Sequence, residues 1–363
     1  MQSHGATPLL DLASLGWTEA DARHFSPFAG KGLVAGRVTL EHTHIYTVRT
    51  ASAELLARVA GRLRHRAAAR RDYPAVGDWV AVDPASVHGR ATIHAVLPRR
   101  SAFSRKVAGS RTDEQVVAAN IDTVFLVAGL DGDLNPRRLE RYALVAGESG
   151  ANAVVVLNKA DVCDDLAGAV AEVAAVAPAL PVAVVSARTR HGLDTLAPYL
   201  RSGRTVAFLG SSGVGKSTII NALVGEAILP TREVRARDGR GQHASTNRQL
   251  VVLPGGALVI DTPGMRELQL WDVAEGMAGT FGDIEALAAG CRFRDCRHTG
   301  EPGCAVEVAV AEGRLPTGRL DNYRKLHVEL AHLAEKQDER ARLERKRRDR
   351  SIHRAARRHK PRE

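Results

Sequence analysis

Aromatic side chains are scarce in this 363-residue chain, at 4%, which leaves little material for extended stacking surfaces. Cysteine is scarcer still: Cys163, Cys291, Cys296 and Cys304 are the only four, and the last three fall within fourteen positions beside His298. Cysteines so few and so clustered argue against a disulfide framework and point to metal. Long apolar runs are missing as well. The most apolar window, residues 166–187, is interrupted by Glu172, Pro178 and Pro181 and makes a poor membrane span. Met1–Leu15 lacks the basic start of a signal peptide and carries Asp11 in its short apolar run. The expectation is a cytoplasmic protein with no membrane partner. No long internal repeat is visible.

What is present is an ordinary bulk composition, 25% charged and 44% apolar, which argues for a folded globular protein over a disordered or fibrous one. The length suggests two or three domains. Charge is unevenly placed. The net +10 is concentrated at Arg58–Arg111, with 12 basic against 3 acidic residues, and from Lys336 onward, with 13 against 5. The remainder is therefore net acidic. Two basic regions bracketing an acidic middle suggest a polyanionic partner held at both ends, where the plainer reading is two solvated charged surfaces.

From about Leu33 to Lys106, short runs such as Gly36–Leu40, Ile45–Val48, Asp78–Val82 and Thr92–Leu97 alternate β-branched and polar residues between Gly, Pro and Asp. They predict a small β-barrel or sandwich with the basic connections Arg58–Arg71 and Arg99–Lys106 on its surface. From Asn120 the pattern changes. Val124–Ala128, Ala153–Leu157, Val182–Val185, Thr205–Leu209, Leu250–Leu253 and Leu258–Ile260 are continuous apolar strands separated by helical segments, the signature of a doubly wound α/β domain. Pro254-Gly-Gly256 predicts a hairpin between the last two strands, an antiparallel edge on a parallel sheet. Later, Leu320, Tyr323, Leu326, Leu330 and Leu333 share one helical face, and beyond Ala334 the apolar stripe ends.

Gly210-Ser211-Ser212-Gly213-Val214-Gly215-Lys216-Ser217 fits the phosphate-loop pattern, follows an apolar strand and opens a helix at Thr218. Glycines there let backbone N–H groups wrap phosphates; Lys216 would neutralise the β and γ oxygens and Ser217 would ligate Mg²⁺. Asp261-Thr-Pro-Gly264 ends the strand Leu258–Ile260, so Asp261 would hold Mg²⁺ through water and the Gly264 N–H would sense the γ-phosphate.

The base is indicated by Asn158-Lys159-Ala-Asp161 and Ser186-Ala187-Arg188, each at the end of an apolar strand and each resembling a guanine-specificity motif of the translation-factor GTPases. A carboxylate at Asp161 accepts both the ring N–H and the exocyclic amino hydrogen of guanine, a pair adenine does not present. Asn158 would brace the loops, the Lys159 stem would pack on the base, and the Ala187 N–H would meet the guanine carbonyl. Both motifs precede the phosphate loop, whereas ordinary GTPases place them after it. The chain therefore looks like a circularly permuted GTPase, with Arg190–Arg204 as the joining connection. Cys291, Cys296, His298 and Cys304 form a Cys₃His set with no open position, which predicts one structural Zn²⁺ and no catalytic one. Cys163, apart from them, is expected to have no role.

With permuted GTPase motifs, a basic β-module before them and Cys₃His after them, the chain resembles the ribosome small subunit-dependent GTPase A (RsgA) family from about Gly30 to His332. Pro74–Val80, Gln115–Asn120 and Cys291–Cys304 carry further phrases of that resemblance. It implies a multidomain protein: an N-terminal OB-fold β-barrel, a central circularly permuted α/β P-loop GTPase domain and a C-terminal α-helical zinc-binding domain. The expected divisions are an extension at 1–32, barrel at 33–112, GTPase domain at 113–272, zinc domain at 273–335 and basic tail at 336–363. The resemblance also implies late maturation of the small ribosomal subunit, with slow hydrolysis of GTP to GDP that the subunit stimulates. In switch I, Gly241-Gln-His-Ala-Ser-Thr246 departs from the family's run of threonines, leaving Ser245 or Thr246 as the Mg²⁺ hydroxyl. Met265 stands where many GTPases place a water-orienting Gln, which makes His243 the candidate to position water. The expected partner is the small subunit and its rRNA, and the expected state is monomeric. The rival readings are a nucleotide-gated rRNA-binding module with negligible turnover and an ATPase acting on nucleic acid.

Overall fold

The computed structural model describes residues 11–42, 44–87, 89–106, 114–225, 248–261 and 274–328. The chain divides into two compact units, Met1–Gln269 with Glu275–Thr280, and Leu270–Ala274 with Phe281–Glu363.

The first unit begins with helix α1 (Glu19–Phe25), started by a reciprocal capping box between Thr18 and Asp21. Five strands follow: β1 (Val34–His42), β2 (Ile45–Thr50), β3 (Glu54–Val59), β4 (Trp79–Val87) and β5 (Arg90–Val96). They are ordered β1-β2-β3-β5-β4, and β4 closes back on β1. Only the β3–β5 contact within this set is parallel. This is the OB-fold barrel. Inward positions alternate as a half-buried barrel strand requires: Tyr46 and Val48 of β2 meet Val38, Val80, Val82 and Ile93. Closure brings β1 against two neighbours at once, and Gly36 makes that approach possible, since a Cβ there would overlap Val48 Cγ1. Helix α2 (Gly61–Arg66) lies between β3 and β4 in the chain and inserts Leu63 beneath the barrel.

Strands β6 (Ala102–Lys106) and β7 (Glu114–Ala119) pair as a separate antiparallel ribbon. The nucleotide domain then adds β8 (Thr123–Gly129), helix α3 (Pro136–Ser149), β9 (Asn152–Asn158), helix α4 (Leu166–Val176), β10 (Val182–Val184), β11 (Thr205–Gly210), helix α5 (Lys216–Val224), β12 (Arg248–Val252) and β13 (Leu258–Asp261). Its order is β10-β9-β8-β11-β13-β12, parallel except for β12. Every residue of β8 and β11 is buried, which explains why both read as unbroken apolar runs. Helix α3 begins at Asn135, whose side chain accepts the Arg138 N–H, and stops at Gly150 in the left-handed region (φ 79°).

Four features differ from the sequence expectation. The hairpin around Pro254–Gly256 forms, but β12 is no edge: it pairs with β1 through Leu40↔Gln249 and Glu41↔Arg248, joining barrel and nucleotide sheet into eleven continuous strands. An Arg248–Glu41 ion pair at 3.2 Å closes that seam. The connection Arg190–Arg204 is no bare linker, because its 3₁₀ turn (Leu193–Tyr199) buries Leu193 and Leu196 and sets Tyr199 edge-on to Phe125. Strand β3 and the β6–β7 ribbon went unread. Finally, Arg99 is not a surface cation; its guanidinium holds both oxygens of the fully buried Asp78 (2.7 and 2.8 Å) and the carbonyls of Arg71 and Tyr73. Arg37, also fully buried, bonds the carbonyls of Leu15, Gly77 and Asn120 and stacks on Trp79, pinning extension, barrel and nucleotide domain together. Desolvation pushes its pKa down to about 10, so it stays charged at neutral pH.

Helix α6 (Ala274–Ala288) breaks at Phe281, where the second unit resumes; in that unit helix α7 (Ala305–Ala311) follows a cysteine-bearing loop, and the described part of helix α8 is 317–328. Leu320, Tyr323 and Leu326 face inward as the helical stripe predicts, and Tyr323 meets Phe281 edge-on at 5.4 Å. Leu330, Leu333 and the tail 336–363 lie outside the described residues.

Candidate functional site

The loop between β11 and α5 has the backbone a phosphate cradle needs. Gly213 (φ 87°) and Gly215 (φ 95°) occupy the left-handed region. Gly215 also has a steric reason to be glycine: a Cβ there would overlap Asn158 Nδ2. That contact matters because Asn158, almost fully buried, donates from Nδ2 to the Val214 carbonyl (2.8 Å) and accepts the Ala187 N–H at Oδ1 (3.0 Å). One side chain thus ties together three segments that are far apart in the chain. The Ala187 amide, expected to face a guanine carbonyl, is spent on Asn158 in this structure.

Ser186 donates to Asp161 Oδ1 at 2.6 Å, and the Arg188 guanidinium lies 2.8 Å from the other oxygen. The Ser186 hydroxyl is the main cause that holds the Asp161 carboxyl below its ordinary range, so it is ionised at neutral pH. Lys159 sits in the left-handed region (φ 68°) with its ammonium on Asp131. Sequence reasoning missed Asp131; its only signal is its place just beyond the C-terminal end of β8, where open α/β sheets bind ligands. Lys216 bends back onto the carbonyls of Gly210 (2.8 Å) and Ser211 (2.6 Å). Asp131, Asn158, Lys159, Asp161, Arg188 and Thr218 line a single cavity of about 450 Å³, a volume in the ordinary range for small-molecule sites.

Ser211, Ser212 and Val214 complete the loop and Ser217 and Thr218 the first turn of α5. Asp261 is the last residue of β13, beside β11 in the sheet. Gly264, His243, Ser245 and Thr246 lie outside the described residues.

The second cluster lies in the other unit. The ligand atoms of Cys291, Cys296, His298 and Cys304 all fall within 4.8 Å of one another. His298 Nδ1 is 3.3 Å from Cys304 Sγ and 3.6 Å from Cys291 Sγ. These separations suit the edges of a tetrahedron with metal–ligand bonds of about 2.0–2.3 Å. Burial holds the His298 pKa below its ordinary value, favouring the neutral ring a metal needs. Glu301 staples the loop by accepting the Arg297 (2.9 Å) and Thr299 (2.6 Å) amides, which draws its carboxyl down to about 2. Cys163 is half-buried and apart from the cluster.

A sequence model of the RsgA GTPase family matches residues 96–271. The chain is 50% identical over 338 residues to the small ribosomal subunit biogenesis GTPase RsgA of Opitutus terrae, covering 91% of this chain and 92% of that protein. The chain belongs to the RsgA GTPase family. As an RsgA-family GTPase it is a GTP hydrolase with a circularly permuted fold. It is also 42% identical over 357 residues to the protein of that name from Syntrophotalea carbinolica, covering 96% and 98% of the two chains. Among solved structures, YjeQ from Thermotoga maritima superposes with a TM-score of 0.61 at 27% identity, over 82% of this chain and 99% of that one. YloQ, described as a circularly permuted GTPase, shares the fold at TM-score 0.58 and 22% identity, over 83% and 96% of the two chains. No helix among the described residues is long and apolar enough to cross a membrane.

Proposed function

We propose that this GTPase binds the small ribosomal subunit in its GTP state in the cytoplasm, assists late maturation of the subunit, and leaves as a monomer after hydrolysis to GDP. The observation that carries the reading is the single cavity in which Asn158, Asp161 and the phosphate loop meet despite their permuted order. Relatives that cover almost the whole chain bear the name small ribosomal subunit biogenesis GTPase.

In that cavity Asp161 accepts two guanine hydrogens, Lys159 is steered along the base by Asp131, and the amides of Gly210–Ser217 face the phosphates. Lys216 leaves its two loop carbonyls for the β and γ oxygens. Mg²⁺ would be held by Ser217, Asp261 and a switch I hydroxyl from Ser245 or Thr246, neutralising charge on the phosphates. His243 is the water-positioning residue and Gly264 the γ-phosphate sensor. Catalysis is chiefly positioning and electrostatics, so a partner that orders the switch residues accelerates it. The four residues Cys291, Cys296, His298 and Cys304 would hold one structural Zn²⁺, which supplies folding energy to a small unit. The functional parts are the barrel at 33–112, the GTPase domain at 113–272, the zinc domain at 273–335 and the tail at 336–363.

Turnover of GTP with and without purified small subunits tests this. Stimulation by subunits that His243→Ala abolishes, with GTP affinity kept, is the expected result. Equal turnover with and without subunits would refute the reading.

A further inference from the structure

The barrel carries a groove that the nucleotide chemistry does not use. It encloses about 710 Å³ between the N-terminal extension, helix α2 and the end of β5. Leu33, Leu63 and Val96, each half-buried, give it an apolar floor, while the exposed cations Lys31, Arg62 and Arg66 stand on its two banks.

Among the described residues, Lys31, Arg62 and Arg66 have no carboxylate partner. Other cations of this unit are tied down, among them two that also line the groove, Arg99 to Asp78 and Arg71 to Glu114, and, away from it, Arg138 to Asp133, Lys159 to Asp131 and Arg204 to Asp122. Among the described residues, Arg62, Arg64 and Arg66 form no ion pair, though they sit on one short helix. The acidic residue lining the groove, Asp72, turns its carboxylate to the Ala68 and Ala69 amides (2.8 and 3.0 Å). Arg62 and Arg66, one helical turn apart on the groove, repel one another without counter-charge, and a polyanion relieves that repulsion.

The groove also has a ring. In a chain with 4% aromatic residues, four stand in one row: buried Trp79 contacts Trp17 (4.7 Å), Trp17 contacts Phe25 (6.1 Å), and Phe25 contacts Phe28 (6.1 Å) at the groove wall. Phe28 is thus backed by a row of edge-to-face and tilted rings that reaches the barrel core, and Lys31 lies 6.0 Å from its ring centre. A fixed aromatic face beside an apolar floor, with cations along both banks, matches what single-stranded nucleic acid requires: a surface for a base and charges for the flanking phosphates. A duplex keeps its bases stacked inside and offers nothing to the floor.

From this juxtaposition we infer that the groove between the N-terminal extension and helix α2 is a binding site for an unstacked nucleotide of single-stranded RNA. The base rests against Phe28 and Leu63, and Arg62, Arg66 and Lys31 hold the adjacent phosphates. This rests on the small-subunit reading above and gives it a chemistry: the barrel grips a single-stranded rRNA segment at its helix-covered end.

The test uses the full chain with a fluorescein-labelled 10-nucleotide single-stranded RNA and a duplex of the same sequence, across a salt series. Phe28→Ala should weaken single-strand binding about tenfold while keeping the salt slope, because it removes stacking and no charge. Arg62→Ala/Arg66→Ala should lower the slope of log K against log salt by about 1.4, at roughly 0.7 for each lost phosphate contact. Both arginines are exposed and have no ion pair among the described residues, so the double variant tests the site without threatening the fold. Basal GTP turnover should match wild type in every variant. With intact subunits and a non-hydrolysable GTP analogue, a benzophenone photocrosslinker replacing Phe28 should label rRNA. Crosslinks confined to ribosomal proteins, tighter binding of the duplex, or a double variant with unchanged slope would each overturn the inference. Loss of subunit-stimulated turnover in the wild-type protein would instead overturn the functional reading and leave the RNA measurements to stand alone.

Discussion

Arg62 and Arg99 belong to one basic stretch of sequence and do opposite things in the fold. Arg99 is spent: four hydrogen bonds fix its guanidinium to Asp78 and two carbonyls. Arg62 is exposed on α2 with no ion-pair partner among the described residues. Net charge alone cannot separate the two, because what decides is whether the chain brings a carboxylate to the cation. A charge paired inside the protein cannot lose its partner without destabilising the fold, and a charge left open is available to a binding partner.

The comparison breaks most visibly at Arg99. Arg99→Ala strands Asp78 as an uncompensated buried charge, at a cost of roughly 3–5 kcal/mol. Chemical denaturation should show that loss in full. A change under about 1 kcal/mol would mean that the pair is solvated and the contrast with Arg62 false.

A second tied carboxylate sharpens the same point from the functional side. Asp161 is held by Ser186 and Arg188 yet lines the cavity, so Asp161→Asn should leave the fold intact and cut GTP affinity by about tenfold or more, since one of its two guanine hydrogen bonds becomes a clash of donors. The pH dependence follows from the direction of its shift. A carboxyl depressed below its ordinary range remains charged above that range, so GTP affinity should be flat through neutral pH and fall only as acid protonates the group. A drop in affinity between pH 8 and 6 would contradict that.

Smaller effects are expected on helix α2 and at the cysteine-bearing loop. Arg62→Ala/Arg66→Ala should change stability by less than about 0.5 kcal/mol, as exposed substitutions away from special features do, while moving the salt slope of RNA binding. In the second unit, Glu301→Gln should loosen the stapled loop and speed zinc loss to a chelator a few-fold, with the Cys₃His ligands unchanged, since second-layer contacts tune metal retention. Zinc release followed with a colorimetric chelator checks it.

Much of the architecture was legible because its determinants are local. Continuous apolar runs at Val124–Ala128 and Thr205–Leu209 mark strands covered on both faces, and the phosphate loop and Cys₃His set are short motifs with fixed chemistry. Strand β3 escaped because its outward face carries the exposed Leu56 between Glu54 and Arg58 while Leu55, Ala57 and Val59 face the core, so three apolar residues in a row blur the alternation that marks a half-buried strand. The β12–β1 seam rests on two register pairs and one ion pair between residues about two hundred positions apart, and backbone pairing of that kind leaves no mark in sequence. For the same reason Asp131 is marked only by its place just beyond the end of β8. Its role depends on Lys159, 28 residues later, turning its ammonium back across the mouth of the cavity.

The permuted order matters only if the two base-recognition motifs and the phosphate loop act on one nucleotide. Displacement of labelled GTP from the wild-type protein by unlabelled GTP, GDP and ATP measures that directly. Efficient displacement by GTP and GDP is expected, none by ATP at matched concentrations, and loss of this selectivity in Asp161→Asn. Efficient displacement by ATP would contradict it.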